Sequence, residues 1–241
     1  MSLIAERFTA SAARYDETVH IQPLVAQHLA DRLVGNPKKI LEIGCGTGGL
    51  SALLLKKFPE SDLVLSDISP AMLDLCQHNL GDKPKYALID ADDLPADIGQ
   101  YDLVISSLAL QWVQDLPQTL KNLVGLLKPR GRLAFAVLGN QNFQEWRSLM
   151  QKFGVAAGLH EYPSAENFCW PAPYSGVIEE AFIEEHHASG LEFLKSLKKI
   201  GAATPRIGHK PISPTSMKQA LKASESGFTI SYHVLYGDLT N

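Results

Sequence analysis

The stretch ILEIGCGTGG, from Ile40 to Gly49, decides the fold. It completes a short apolar run over Lys39–Ile43, which is typical of a buried strand, and its glycines mark a tight turn. Leucines at helical spacing follow between residues 48 and 58. Because glycines lack Cβ atoms, the backbone can turn sharply and approach a ligand, with the first N–H groups of the helix facing it. The stretch therefore predicts a strand–turn–helix unit that holds a nucleotide-containing ligand.

The glycine spacing fits two such ligands equally well. Gly44, Gly46 and Gly49 match the G-x-G-x-x-G pattern of NAD-binding turns. The alternative set takes Gly48 as its third glycine and, with Glu42 ahead of it, matches an acidic-x-G-x-G-x-G loop that binds S-adenosylmethionine. The glycines alone therefore leave NAD and the methyl donor as alternatives.

The first 140 residues alternate between strand and helix. Strands are predicted at 39–43, 62–66, 86–89, 101–106 and 132–138, and helices at 48–58, from 70 onwards and at 116–127. Ser69 is the expected N-cap of the second of these helices, with Pro70 at its first position. This alternation predicts an α/β, Rossmann-like, mostly parallel doubly wound sheet with helices on both faces and ligands at the carboxyl ends of the strands.

Residues 143–225 have a different character, and we interpret them as an inserted helical cap over the sheet. Helices are predicted at 143–153 and 181–200, and a final strand at 227–235. The predicted division is a helical N-terminal lid (1–35), a ligand-binding core (36–140), a cap that binds the acceptor (141–225) and a final strand region that completes the sheet (226–241).

Composition limits the function classes. With 45% hydrophobic and 20% charged residues, the chain is typical of a soluble globular protein. Its net charge of −4 argues against a dedicated nucleic-acid binder, and no apolar run approaches the roughly 20 residues of a membrane span. Cys45, Cys76 and Cys169 are odd in number and widely spaced, which predicts a reducing compartment, the cytoplasm, and no metal site.

Three features favour the methyl donor over NAD. Glu42 would repel a pyrophosphate, whereas the ammonium of a methionine moiety would tolerate this charge. Asp67, about 20 residues after the loop, is not one of the three, because it can accept hydrogen bonds from both ribose hydroxyls of either ligand. Asp90 can accept from the adenine amino group while the Ala91 backbone approaches the ring. The fourth strand then ends in SSLALQW, and the next helix ends in LKPRG.

These motifs carry a resemblance to a known family. Five segments within about residues 38–138 resemble, in their order and spacing, the motifs of class I S-adenosylmethionine-dependent methyltransferases. They are ILEIGCGTGG, LSDISPAML, IDADDLP, YDLVISSLALQW and LLKPRGRLAF. A narrower resemblance reaches both ends of the chain through RFTASAARYDETVHIQ, SLALQWVQDL, SLKKIGAATP and ISYHVLYGDL. These are similar to the malonyl-[acyl-carrier-protein] O-methyltransferase family of early biotin synthesis, which methylates the free carboxylate of a malonyl thioester.

The resemblance implies roles for individual residues. The loop under the methionine end of S-adenosylmethionine would comprise Glu42, Gly44, Cys45, Gly46 and Gly48. The remaining donor contacts would be Asp67 at the ribose, Ile68 and Met72 beside the adenine, Asp90 and Ala91 at its edge, Ser106 and Ser107 at the ammonium, and Tyr15 as a lid.

The reaction itself requires few catalytic groups. A carboxylic acid titrates near pH 4, so the acceptor is already ionised at neutral pH and needs no general base. The enzyme must align the reacting atoms and exclude water. Neutral candidates for positioning the acceptor are Tyr15 and Gln111, and cationic ones are Lys198 and Arg206. Trp112 either walls the site or is a core residue.

Charge is segregated late in the chain. Residues 191–225 contain seven Lys or Arg and two Glu, whereas residues 154–190 contain six Glu and no Lys or Arg. An acyl carrier protein is acidic, so Lys195, Lys198 and Lys199 are candidate docking residues; alternatively they form a solvated helix face.

Two other functions stay open at this point. The first is methyl transfer to another small acceptor, such as a free carboxylic acid or a quinone precursor. The second, of a different class, is an NAD-binding oxidoreductase or a nucleotide-binding protein without catalysis.

Overall fold

A seven-stranded sheet organises the chain. The computed structural model describes residues 3–12, 20–200 and 212–241. In sequence the strands are β1 (Lys39–Ile43), β2 (Asp62–Asp67), β3 (Lys85–Leu88), β4 (Tyr101–Ser107), β5 (Leu127–Leu138), β6 (Val177–His187) and β7 (Phe228–Thr240). Their order across the sheet is β3-β2-β1-β4-β5-β7-β6.

The helices connect and cover these strands. They are α1 (Leu3–Ser11), α2 (Ile21–Asp31), α3 (Gly49–Lys57), α4 (Pro70–Leu80), α5 (Leu116–Gly125), α6 (Gln144–Lys152), α7 (Gly190–Lys199) and α8 (Pro214–Lys222), with a short 3-10 helix at Leu110–Trp112. As predicted, the Ser69 hydroxyl caps α4 by accepting from the Met72 N–H at 3.3 Å, and Pro70 is the first helical residue.

The strand directions place one ligand-binding edge. Strands β1 to β5 pair in parallel, while β7 is antiparallel to both β5 and β6. The carboxyl ends of β1, β2 and β4 therefore lie side by side, where doubly wound sheets bind their ligands. The predicted Rossmann-like, mostly parallel fold is confirmed.

Two apolar cores cover the sheet, one on each face. One includes Ile40 and Ile105 from the sheet with Leu29, Leu54 and Phe193 from α2, α3 and α7. The other includes Leu41, Val104, Leu120 and Leu123, the last two from α5, and Phe168 packs against it. Neighbouring strand residues such as Ile40 and Leu41 point to opposite faces, so β1 is buried on both sides, as expected of a parallel strand between helices.

The prediction of a helix over residues 181–200 is wrong in its first half. Residues 177–187 form β6, which pairs along its whole length with β7. Ala181 and Ile183 pack against one core, and the residues between and beside them face solvent, which is the alternation of an edge strand. Pairing with β7 outweighs the helix propensity of the glutamates.

The second half of that prediction is confirmed, because α7 begins at Gly190. The Ser189 hydroxyl accepts from the Glu192 N–H at 3.3 Å, which is the S-x-x-E spacing of a capping box. The capping box marks in the sequence where β6 has ended and α7 begins. The spacing of apolar residues does not show this boundary.

Other boundaries differ by a few residues. β5 begins at Leu127 instead of residue 132, because the LKPRG segment already belongs to the strand, and β7 extends to Thr240. Helix α6 lies where the sequence predicts it. The four-part division of the chain stays a prediction, although residues 177–187 of the predicted cap join the main sheet.

Candidate active site

A cavity lies at the carboxyl ends of β1, β2 and β4. This strand-end cavity encloses about 920 Å³, including its opening to solvent. Residues that the sequence predicts for the donor site and that line the cavity are Gly44, Gly46, Asp67, Ile68, Met72, Asp90, Ala91 and Ser107. Trp112 also lines this cavity, so its ring is not enclosed in the core.

The Gly-rich loop is held tightly against the end of β4. The Cys45 N–H donates to the Ser66 carbonyl at 2.8 Å, which fixes the loop over β2. Gly44 has a φ of +72°, and a Cβ at this position would lie 2.2 Å from the Cβ of Ala109. Only glycine fits this close approach, because any side chain at position 44 would collide with Ala109.

Asp67 joins that loop to the start of α4. Its Oδ2 accepts from the Gly46 N–H at 2.9 Å, and its Oδ1 accepts from the Ser69 N–H at 2.8 Å. Burial raises the pKa of this carboxyl, while the backbone donors oppose the increase. Each carboxylate oxygen keeps a further lone pair, so Asp67 can still accept hydroxyl donors from a ligand in the cavity.

Two more carboxylates lie on the wall after β3. Asp90 Oδ1 accepts from the Asp92 N–H at 3.0 Å, and Asp92 in turn accepts from the Gln114 N–H at 3.1 Å. With Asp67, the wall carries three carboxylates, and no Lys or Arg occurs among the described residues that line it. Such a wall favours a cationic ligand and disfavours a pyrophosphate.

Four of the predicted donor residues lie behind the wall: Glu42, Cys45, Gly48 and Ser106. Glu42 is buried, and burial raises its pKa to about 7, even though Ser51 donates to its Oε2 at 2.6 Å. A carboxyl group with this pKa is only partly charged near neutral pH. The three wall carboxylates are therefore a better reason than Glu42 to prefer S-adenosylmethionine over NAD as the ligand.

The other residues behind the wall have structural contacts. The Ser106 hydroxyl donates to the Ile43 carbonyl at 2.8 Å and so joins β4 to β1. Contact with Cys76, together with burial, raises the pKa of the Cys45 thiol, which therefore stays protonated. Gly48 is the N-cap of α3. These residues position the loop and its two neighbouring strands.

A second cavity of about 530 Å³ adjoins the first, and we call it the side cavity. The two share Phe8, Leu108 and Trp112 as lining residues. Trp112 is held edge-on between Phe8 and His160, with ring centroids 5.7 and 5.5 Å apart. Polar side chains on the side-cavity wall are Gln22, Gln111, Tyr162 and Tyr232.

The predicted basic residues lie elsewhere. Lys195, Lys198 and Lys199 are exposed on α7, and Lys195 pairs with Glu192 at 2.7 Å. Lys198 lines neither cavity, whereas its neighbour Leu197 lines the side cavity. Two other predicted residues, Tyr15 and Arg206, lie outside the described part of the chain.

Sequence reasoning missed several cavity residues. Asp92 and Leu108 lie within the IDADDLP and SSLALQW motifs, so the motifs contained the signal for both. Gln22 closes the RFTASAARYDETVHIQ segment, whereas Tyr162 and Phe143 come from a region without a motif. Their placement depends on contacts far apart in sequence.

Known proteins are similar to this chain in both sequence and fold. A family model described as "Methyltransferase domain" matches residues 41–133, which span β1 to the middle of β5. The malonyl-[acyl-carrier protein] O-methyltransferase of Magnetococcus marinus is 41% identical over 95% of this chain and 89% of its own length. The chain belongs to the malonyl-[acyl-carrier protein] O-methyltransferase family. The biotin biosynthesis bifunctional protein BioCD of Bordetella avium is 38% identical over 97% of this chain, which spans 51% of that longer protein.

A solved methyltransferase structure shares the fold of this chain. The N-methyltransferase NodS of Bradyrhizobium japonicum, solved with S-adenosyl-L-homocysteine, superposes with a TM-score of 0.54 over 100% of this chain and 99% of its own. At 15% identity the likeness concerns the fold. Within the described residues of this methyltransferase, no helix is long and apolar enough to cross a membrane, and no cluster of three His, Cys, Asp or Glu side chains suits a metal ion.

Proposed function

We propose that this methyltransferase transfers a methyl group from S-adenosylmethionine to the free carboxylate of a malonyl thioester on an acyl carrier protein. The product is the malonyl methyl ester, an early intermediate of biotin synthesis. The observation that carries the proposal is the 41% identity to a malonyl-[acyl-carrier protein] O-methyltransferase over nearly the whole chain. The name of the BioCD relative supports the place in biotin synthesis.

The strand-end cavity fits the methyl donor. Bound there, the donor supplies an electrophilic methyl group on a positively charged sulfur. Its charge suits the wall carboxylates Asp67, Asp90 and Asp92, and Gly44 and Gly46 line the cavity without side chains that would keep a ligand away. In this proposal Asp67 holds the ribose hydroxyls.

The other donor contacts follow the cavity wall. Ile68 and Met72 flank the adenine, while Asp90 and Ala91 bind its edge. Ser107 offers backbone groups to the methionine end. The residues behind the wall support the loop, and Tyr15 remains a candidate lid.

The acceptor side requires positioning rather than acid–base chemistry. A malonyl carboxylate is ionised near neutral pH, so no side chain has to remove a proton. Phe8, Leu108 and Trp112 form the apolar wall common to both cavities, which is where donor and acceptor would meet. Apolar walls exclude water from the carboxylate, and a less solvated carboxylate is a better nucleophile. Gln111 adjoins this meeting point, and Lys198, Arg206 and Tyr15 remain candidate acceptor or carrier contacts.

The carrier would dock on α7. Lys195, Lys198 and Lys199 are exposed on this helix, which also places Leu197 on the wall of the side cavity. A basic surface beside the cavity would steer an acidic carrier and increase its association rate. The free thiols Cys45, Cys76 and Cys169 fit a reducing compartment, and we place the reaction in the cytoplasm.

One assay tests the reaction and the acceptor together. Purified protein is incubated with labelled S-adenosylmethionine and, in parallel, with malonyl-acyl carrier protein, malonyl-CoA or free malonate. We expect methyl ester to form fastest on the carrier-bound malonyl group. Equal labelling of free malonate would exclude carrier recognition, and labelling of no malonyl compound would exclude the proposed acceptor class.

A thermal-shift experiment tests the donor against NAD. We expect S-adenosylhomocysteine to increase the melting temperature and NAD to leave it unchanged, because bound ligand stabilises the native state. The opposite pattern would favour the nucleotide-oxidoreductase alternative.

Docking on α7 has its own test. Replacing Lys195, Lys198 and Lys199 together by Glu should increase KM for the carrier-bound substrate at low salt, and the increase should shrink as salt screens the charges. A matched control variant replaces Lys56, Lys85 and Lys121, which are exposed on other elements, by Glu and so changes the net charge by the same amount. If both triple variants increase KM equally, the effect belongs to net charge, and docking on α7 is excluded.

A further inference from the structure

Two buried amide oxygens of the side cavity have no hydrogen-bond partner. Among the described residues, four buried side-chain atoms lack a partner, and two of them are the Oε1 atoms of Gln22 and Gln111. Both side chains line the side cavity although they come from α2 and from the 3-10 helix. An unpaired buried acceptor is costly, and each such atom in a folded protein requires an explanation. A ligand that donates hydrogen bonds in this cavity would supply it.

The orientation of the Gln111 amide identifies its free group as an acceptor. Its Nε2 donates to the Leu108 carbonyl at 2.7 Å. A carbonyl oxygen can only accept, so the NH₂ end of the amide must face Leu108 and the oxygen is left over. Leu108 is itself fixed, because its N–H donates to the Ala136 carbonyl at 2.8 Å and its φ is +51°. Gln111 therefore presents an acceptor of defined orientation.

The malonyl group cannot satisfy these oxygens. Its carboxylate and its thioester carbonyl are acceptors only, and two acceptors do not pair. The pantetheine arm that carries the thioester does contain donors, because it includes amide N–H groups separated by methylene units. The rest of the side-cavity wall suits such methylenes, since it includes Ile21, Leu138 and Leu197.

We propose that Gln22 and Gln111 accept hydrogen bonds from the amide N–H groups of the thioester's pantetheine arm and thereby select carrier-type thioesters over free acids. This inference rests on the proposed function, because it takes the malonyl thioester as the acceptor. The malonyl group then lies against Phe8, Leu108 and Trp112, where the two cavities adjoin, and the arm occupies the side cavity. Leu197 and Ile200 place the end of α7 on this wall, so the arm leaves beside the exposed Lys198.

The test compares an amide with its ester isostere. One substrate is S-malonyl-N-acetylcysteamine, and the other replaces its amide N–H by an ester oxygen, so that only the donor is lost. We expect the wild type to have a kcat/KM about tenfold higher for the amide, the effect of one well-placed hydrogen bond. In at least one of the variants Gln22→Met and Gln111→Met, the ratio of kcat/KM for the amide to kcat/KM for the ester should decrease towards one. Gln118→Met, a change on the exposed face of α5, should keep the wild-type ratio.

The malonyl carrier itself provides the second measurement. Gln22→Met and Gln111→Met should each lower kcat/KM for malonyl-acyl carrier protein by about tenfold, whereas Gln118→Met should retain it. Calorimetric binding of S-adenosylhomocysteine confirms that the strand-end cavity remains intact in each variant. A wild-type ratio near one, or unchanged carrier kinetics in both cavity variants, overturns the inference and leaves the proposed function standing. Failure of the wild type to methylate the malonyl carrier removes the proposed function and this inference together.

Discussion

The two adjoining cavities are built in different ways. Apart from Phe8, the described residues that line the strand-end cavity lie between Ile43 and Gln114, and its carboxylates are tied to backbone N–H groups. The side cavity collects residues from Phe8 to Tyr232, and two of its amide oxygens lack partners. The first cavity is thus formed by consecutive strand–helix units, whose backbone hydrogen bonds should make it rigid, whereas the second is formed by segments far apart in the sequence. Substitutions should affect the two cavities differently.

The largest effect is expected from Gly44→Ala, which tests the rigidity of the strand-end cavity. The new Cβ would lie 2.2 Å from that of Ala109, and the φ of +72° adds left-handed strain. Together these should reduce the free energy of unfolding by about 2–5 kcal/mol and weaken donor binding. Thermal unfolding and S-adenosylhomocysteine calorimetry measure both effects.

Two further variants separate the causes in this experiment. Gly35→Ala has a similar φ of +86° but no atom within 4 Å of its new Cβ, so it should show the strain alone, about 1–2 kcal/mol. Ala109→Gly in the Gly44→Ala background should restore the part caused by the clash. If Gly35→Ala costs as much stability as Gly44→Ala, close packing against Ala109 is not the cause.

Glu42 should make the stability of the strand-end side depend on pH. Its folded pKa of about 7 lies above the ordinary 4.5, so the stability that its protonated form contributes is complete below pH 4.5 and is lost as the pH rises through 7. Glu42→Gln keeps an acceptor for the Ser51 hydroxyl but does not titrate. Between about pH 5 and pH 8 the wild type should lose roughly 2.5 kcal/mol relative to this variant, as measured by urea unfolding. Parallel pH curves for the two proteins would contradict the expectation.

Asp67→Ala should weaken donor binding with a smaller loss of stability. The change removes the acceptor of the Gly46 and Ser69 N–H groups and the proposed ribose contact. The expected loss in S-adenosylhomocysteine affinity is about 1–3 kcal/mol, measured by calorimetry. Asp115→Ala is the control, since Asp115 also accepts a backbone N–H, that of Gln118, but caps α5. Equal losses of affinity in both variants would contradict a role for Asp67 at the donor.

The different construction of the two cavities explains how much of each could be predicted from the sequence. The lining of the strand-end cavity was predictable because each parallel strand of a doubly wound sheet ends at the same edge, so that the positions of Asp67 and Asp90 follow from where their strands stop. Whether a motif residue lies on the wall or behind it was not predictable. Glu42 points to Ser51 because successive strand residues face opposite sides of the sheet, and motif spacing does not say which side holds the ligand.

The acceptor side was less predictable for a physical reason. The glutamate-rich segment of β6 has residues that favour helices, yet its conformation is decided by pairing with β7, which lies about 50 residues later. Tyr162 and Gln22 reach the side cavity only after α2, α7 and β7 have packed. No local pattern records such contacts, so the sequence indicated the acceptor class through family resemblance but not which residues line the side cavity.

The smallest effect is expected at the rim of the side cavity. The Tyr232 hydroxyl donates to Glu185 Oε2 at 2.9 Å, and Tyr232→Phe removes this bond while keeping the ring on the cavity wall. The free energy of unfolding should decrease by about 1 kcal/mol, because one side-chain hydrogen bond is lost while the ring stays packed. Tyr86→Phe provides the matched control, since Tyr86 donates to the exposed Gly81 carbonyl. S-adenosylhomocysteine affinity should be unchanged in Tyr232→Phe, because Tyr232 lines only the side cavity; a clear loss of donor affinity would mean that the two cavities are energetically coupled.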